Sequence, residues 1–302
     1  MTFRADAEFD NTRATRGGGG RGRGVPIAAG GGIGTLVIVG LFLLLGGNPA
    51  DLDQILGSDQ GNQVGPADPG AQTEEGFEHC QTAEDGNKYD DCRVMYTASS
   101  VDRVWTEQLP QQAGIDYTQP GVVIFEGSAQ SGCGVASAAT GPFYCPGDQS
   151  AYFDVSFFQD LRKFGADNAP LTQMYIVAHE IGHHIQQLEG TLGLSNYNEP
   201  GADSNAVKIE LQADCYAGIW AHHADKGQRA ELETITQEQA QDAINAARAV
   251  GDDNIQRRSG GDVRPEQWTH GSSEQRAQAF LRGYTDGTMA TCDYLERGVY
   301  NS

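Results

Sequence analysis

The sequence predicts an α+β domain held behind a single N-terminal transmembrane helix. Three observations support this: strand-like runs precede residue 156, helix-periodic runs follow residue 170, and one long uncharged stretch occurs near the N-terminus. With 302 residues the chain can bury a sizeable core in one large domain or two small ones. Its 41 acidic against 20 basic side chains give a net charge of -21, which repels a phosphate backbone and argues against nucleic acid as a partner.

Residues 1–24 are rich in Arg and Gly and form the expected cytoplasmic tail. Residues 25–47 carry no charge and, as a helix, reach roughly 35 Å at about 1.5 Å per residue, enough for a hydrocarbon core of about 30 Å. A cleavable signal peptide would want a small-x-small site after the apolar run, and Gly46-Gly47-Asn48-Pro49 does not supply one, so an uncleaved anchor is expected. Arg13, Arg16, Arg21 and Arg23 precede the stretch while Asp51 and Asp53 follow it, which predicts a single-pass protein of the cell membrane, N-terminus inside and domain outside. Residues 48–76, rich in Gly, Pro, Asp and Gln without hydrophobic periodicity, read as an acidic flexible linker. The folded unit is expected over 77–302.

Within that unit, 121–126 (GVVIFE) and 151–155 (AYFDV) read as strands, whereas 171–188, 204–224, 237–250 and 273–284 have helical periodicity. The small-residue segment 132–140 is either a substrate-pairing edge strand or a disulfide-pinned loop. Six cysteines, Cys80, Cys92, Cys133, Cys145, Cys215 and Cys292, all lie beyond the apolar stretch, where an oxidising space permits disulfides. Fifteen connectivities exist for six cysteines; proximity favours Cys80 with Cys92 and Cys133 with Cys145, leaving Cys215 for Cys292. No C-x-x-C pair supports a cysteine zinc site.

The chemistry concentrates at His179-Glu180-Ile181-Gly182-His183. On a helix, His179 and His183 share a face and can share a metal, while Glu180, about 100° round, stands beside it as a base. A hydrolytic zinc site adds a third protein ligand and keeps a position for water. Among the acids downstream, Glu189 is too near its helix end and Glu199 adjoins Pro200; Glu210 lies among Ala206, Ala213 and Ala217, a packable face, and is the candidate third ligand. Asp214, one turn later, is placed to accept the second ring N–H of a ligating histidine. His184 points away from the pair and reads as a packing or surface histidine, and His222 and His223 as helix-end groups.

The HEIGH motif followed by ELQAD at 210–214 resembles the gluzincin arrangement, in which a glutamate on the next helix completes the zinc site. With the Arg/Gly tail, GPFYCP at 141–146 and THGSSEQR at 269–276, nearly the whole chain resembles the bacterial neutral zinc metallopeptidase family. That resemblance implies a membrane-anchored peptidase of zincin-like fold that holds Zn²⁺ and acts on peptide or protein substrates. In such a site Glu180 moves the proton from water to the leaving amine. An oxyanion donor besides the metal is also needed: His270, before a helix that Ser272 and Gln275 can cap, is the candidate, with Tyr144 and Tyr152 as alternatives. The competing expectation is a catalytically silent, zinc-stabilised envelope protein that binds partners; Glu180 separates the two, since a structural site needs no base.

Overall fold

The computed structural model describes residues 2–17, 76–137, 140–227 and 230–301. The chain is a mixed α+β protein. Strand β1 (Thr15–Gly17) comes first, followed by helices α1 (Ala83–Lys88) and α2 (Asp90–Ala113). Five strands follow: β2 (Gly121–Phe125), β3 (Ser128–Ser131), β4 (Gly134–Ser137), β5 (Phe143–Cys145) and β6 (Ser150–Asp154). The helical half contains α3 (Phe157–Phe164), α4 (Pro170–Leu188), α5 (Asn205–Ala224), α6 (Gln237–Ala249), α7 (Asp252–Arg258) and α8 (Ser273–Asp286).

The main sheet has the order β1-β2-β6-β5, with β2 parallel to β1 and β6 and β5 antiparallel to β6. Strands β3 and β4 form a separate antiparallel hairpin. Within segment 132–140, residues 134–137 form β4, an edge strand of this two-stranded hairpin, and Cys133 in its turn is tied to Cys145 of β5. The other disulfides are Cys80–Cys92 and Cys215–Cys292, so all six cysteines are paired as proximity predicts.

Two expectations are corrected. The strands do not all precede the helices, because α2 enters the core ahead of β2 and buries Val94, Met95, Tyr96, Val101, Val104, Trp105 and Leu109. The folded unit also does not start at Phe77: residues 2–17 pack on it, with Phe3 only 1% exposed and β1 paired to β2. The long-range pairing that recruits a short polar segment leaves no local pattern to read. Among the described residues no helix is long and apolar enough to cross a membrane; the stretch 25–47 and linker residues 48–75 lie outside the described residues.

The functional half is assembled by close helix crossings. A Cβ on Gly218 of α5 would lie 2.2 Å from the Phe280 carbonyl oxygen, and one on Gly283 of α8 would lie 1.9 Å from that of Cys215. Neither space admits a methyl group, so these two glycines set the distance between α5 and α8. Capping boxes at Thr236/Gln239 and Ser272/Gln275 satisfy the first amides of α6 and α8, the second as the sequence predicts. Gly283→Ala is expected to lower stability by about 3 kcal/mol or more, because the clash is with backbone. Urea unfolding of the variant checks this; a midpoint equal to that of the unaltered chain would show the crossing to be looser.

Candidate metal centre and catalytic site

Helix α4 starts at Pro170, whose fixed φ suits the first helical position, and is buried nearly all round, as expected of a helix at the centre of a helical layer. His179 and Glu180 are 6% and 9% exposed. At Gly182, between the two motif histidines, a Cβ would lie 3.2 Å from the Ala213 carbonyl oxygen, so α5 crosses α4 at the motif itself. Gly182 thus admits the backbone of α5.

That crossing sets the ELQAD segment against the histidines. Glu210 Oε2 lies 3.4 Å from His179 Nε2 and Glu210 Oε1 lies 3.6 Å from His183 Nε2. Both spacings exceed a normal N–H···O hydrogen bond. They match the ~3.3–3.5 Å that separates neighbouring donors around a tetrahedral ion with bonds of about 2.0–2.2 Å. The other ring nitrogens are already engaged: His179 Nδ1 donates to Asp214 Oδ1 at 2.8 Å and His183 Nδ1 to Gln186 Oε1 at 2.8 Å. A proton held at Nδ1 leaves each Nε2 lone pair free to ligate, and the acceptors fix both rings. Gln186 is itself held by Nε2 bonds to the Ile209 carbonyl at 2.7 Å and Gln212 Oε1 at 3.0 Å. His179, His183 and Glu210 thus form a group able to hold a metal ion, and the donor set fits zinc.

Asp214, predicted to orient a histidine, does so while carrying three further bonds. Arg276 of α8 donates Nε to Asp214 Oδ2 at 2.8 Å and Nη2 to Oδ1 at 2.9 Å, and the Tyr175 hydroxyl donates to Oδ1. Burial alone would push the Asp214 carboxyl up; the Arg276 and His179 charges outweigh it and hold the group below its ordinary value. Arg276 also stands 3.9 Å from Glu210 Oε2. Burial likewise raises Glu180, opposed by the adjacent histidines, so its proton affinity exceeds that of a solvated glutamate.

His270 is 8% exposed and its Nδ1 lies 3.2 Å from Asp252 Oδ1. The other oxygen of Asp252 accepts the backbone N–H groups of Thr269, His270 and Gly271 at 2.8, 2.8 and 3.0 Å, which fixes the loop before α8. Burial opposes a charge on His270, yet Asp252 outweighs it and raises the imidazole. Tyr144 and Tyr152 are engaged elsewhere: the Tyr144 hydroxyl bonds His184 Nδ1 at 2.9 Å and Gln187 at 2.7 Å, and that of Tyr152 bonds Asp148 at 2.6 Å. His184 is fully buried, with Nε2 2.6 Å from the Thr118 carbonyl, which makes it a packing histidine. His222 and His223 bond the carbonyls of Tyr284 and Gly287 at 2.8 and 3.0 Å. Glu189 accepts from the Tyr216 hydroxyl at 2.8 Å, away from the metal group.

The comparisons with known proteins agree with this geometry. Residues 1–295 match the family described as "Putative neutral zinc metallopeptidase". The chain belongs to that family. Among its relatives, "Uncharacterized protein Rv2575" of Mycobacterium tuberculosis and "Uncharacterized protein Mb2605" of Mycobacterium bovis are each 44% identical over 249 residues, covering 79% of this chain and 83% of theirs. "Uncharacterized protein YpfJ" of Escherichia coli K12 is 40% identical over 207 residues, covering 67% of this chain and 70% of its own. No solved structure matches at a significant level.

Sequence reasoning missed Arg276, Asp252, Gln186 and Tyr197. Arg276 lies in the THGSSEQR segment, but a partner 62 residues away cannot be read from spacing. Tyr197, in the loop before α5, is close enough to Glu210, Glu180 and Asp252 for their charges to add to burial in raising its phenol. Glu210 and Asp214 should fail differently when altered. Glu210→Gln is expected to purify largely free of zinc, whereas Asp214→Asn should weaken zinc binding by about 10- to 100-fold and, by leaving Arg276 buried without its counter-charge, cost about 3–5 kcal/mol of stability. Zinc content after gel filtration and urea midpoints check both; a Glu210→Gln protein with full zinc content would remove Glu210 from the ligand set.

Proposed function

We propose that this chain is a zinc-dependent peptidase of zincin-like fold that hydrolyses peptide bonds in peptide or protein substrates outside the cytoplasm. The observation that carries this reading is the convergence of His179 Nε2, His183 Nε2 and the two Glu210 oxygens at 3.4 and 3.6 Å, with both Nδ1 atoms already bonded. Zinc, when bound there, supplies Lewis acidity and an acidified water. Two imidazoles and one carboxylate would leave such an ion a net positive charge, and a set of three protein ligands would leave it one further position.

Glu180 is the base in this scheme. It adjoins His179 yet, on a helix, projects about 100° from it, so it would stand beside a bound ion without occupying a ligand position. Its raised proton affinity suits taking a proton from water and then handing it to the departing amine. His270, held through Nδ1 by Asp252, keeps its other ring nitrogen for the carbonyl oxygen on which negative charge develops. The raised pKa of His270 favours a protonated ring, hence a donor. Tyr197, raised by burial and by the Glu210 charge, supplies a neutral phenol near the cluster. The silent-scaffold alternative gives no role to a buried carboxylate beside the ligands. Three disulfides support work in an oxidising space.

Glu180→Gln is expected to retain zinc and fold while losing peptide hydrolysis, because it removes the base and no ligand. Turnover of a peptide library by this variant at the unaltered rate would refute the mechanism. His270→Ala should lower kcat by about 10²- to 10³-fold with zinc content unchanged. Steady-state kinetics alongside metal analysis separates this from a loss of the site, and an unchanged kcat would return His270 to a packing role.

A further inference from the structure

Residues 2–17 make contacts that a detached tail would not make. Phe3 sits at 1% exposure in the core, with its ring 4.9 Å from Phe9 and 5.9 Å from Tyr96 of α2. Phe9 stacks on Tyr96 at 4.5 Å. The backbone is tied on both sides: Arg4 N–H donates to the Glu231 carbonyl at 2.9 Å, Glu233 N–H to the Thr2 carbonyl at 2.9 Å, and Asn87 Oδ1 accepts the amides of Thr2 and Phe3 at 2.9 Å. Arg13, 9% exposed, forms a two-pronged ion pair with buried Asp102, which also accepts the Tyr117 hydroxyl. Strand β1 then lengthens the main sheet beside β2.

The end of this arm meets the start of the domain. Arg16 donates to the Gly76 carbonyl, pairs with Asp91 at 2.9 Å and stacks its guanidinium 4.5 Å from the centre of the Phe77 ring. Gly17 and Gly76, which bound the undescribed segment, therefore lie close together on one part of the domain. A single crossing by 25–47 would put those two points on opposite faces of a hydrocarbon layer about 30 Å thick. A return crossing would need a second apolar run, and 48–75 carries Asp51, Asp53, Asp59, Asp68, Glu74 and Glu75 with none. Of the four arginines whose charge predicts a cytoplasmic N-terminus, Arg13 and Arg16 are already paired with carboxylates of the domain.

We propose that residues 2–17 are a permanent wall of the domain, so that the N-terminus and the metal site share one side of any membrane the protein touches. This assignment runs against the single-pass orientation expected from the sequence, and it is independent of the metal chemistry.

Two measurements on the full chain test it. Glu8 and Asp262 are exposed, and the native cysteines are all in disulfides, so Glu8→Cys and Asp262→Cys can be labelled separately with a membrane-impermeant maleimide, in intact and in permeabilised cells. Matching patterns, both labelled in intact cells or both only after permeabilisation, support a shared side. Labelling of Asp262→Cys in intact cells with Glu8→Cys labelled only after permeabilisation would overturn it in favour of a single span. The second measurement is thermal unfolding of Phe3→Ala. Loss of a buried aromatic should lower the midpoint by roughly 10 °C, and an unchanged midpoint would show that the arm is not docked.

Discussion

The buried pairing of Asp214 with Arg276 is the contact on which the candidate site depends. Both side chains are nearly inaccessible, at 0% and 4% exposure, and ions so placed persist only when every hydrogen-bonding position is filled. Asp214 meets that demand with His179, Tyr175 and both prongs of Arg276. One carboxylate therefore joins three helices: α4 through His179 and Tyr175, α5 by its own backbone, and α8 through Arg276. The orientation of a candidate ligand and the packing of the helical half are consequences of the same set of bonds.

The charges around the cluster are arranged to favour a divalent cation. Arg276 neutralises Asp214 and leaves Glu210 as the anionic donor facing the two histidines. Glu180 adds a second carboxylate nearby whose burial raises its proton affinity. At the entrance to α8, Asp252 serves a similar economy. One of its oxygens gathers three consecutive amides while the other holds His270.

What was legible in the sequence follows from the range of the interactions concerned. Helices α4, α5, α6 and α8 were readable to within one or two residues because local periodicity and capping residues define them. The three ligand candidates and Asp214 were readable because helical spacing converts sequence offsets into directions. Helix α2 was obscured because its buried face includes Arg93, Thr97, Ser100 and Asp102, polar residues that break the apolar pattern. Three of those residues meet partners far away in sequence: Arg93 donates to Gln173 Oε1 at 2.9 Å, Asp102 holds Arg13, and Ser100 accepts the Trp220 indole N–H at 3.2 Å, while Thr97 turns back on the Arg93 carbonyl. The docked arm was hidden for the same reason, since fifteen-odd mixed residues carry no periodicity that announces a distant sheet edge.

Helix α5 shows why a short motif can specify so much. A helix with a solvent-facing side has only part of its circumference for chemistry, whereas α5 is buried on every side. Within 210–215, Glu210 faces the histidines, Gln212 bonds Gln186 and the Cys292 carbonyl, and Ala213 lies against Gly182. Asp214 then holds His179 and Arg276, and Cys215 is bonded to Cys292 while its carbonyl abuts Gly283. Successive residues about 100° apart thus contact the metal group, the helix crossing, the buried ion pair and the disulfide in turn. A rotation or a shift of α5 by one residue would break all four together, so the register of this helix is over-determined, and the donor positions inherit that rigidity.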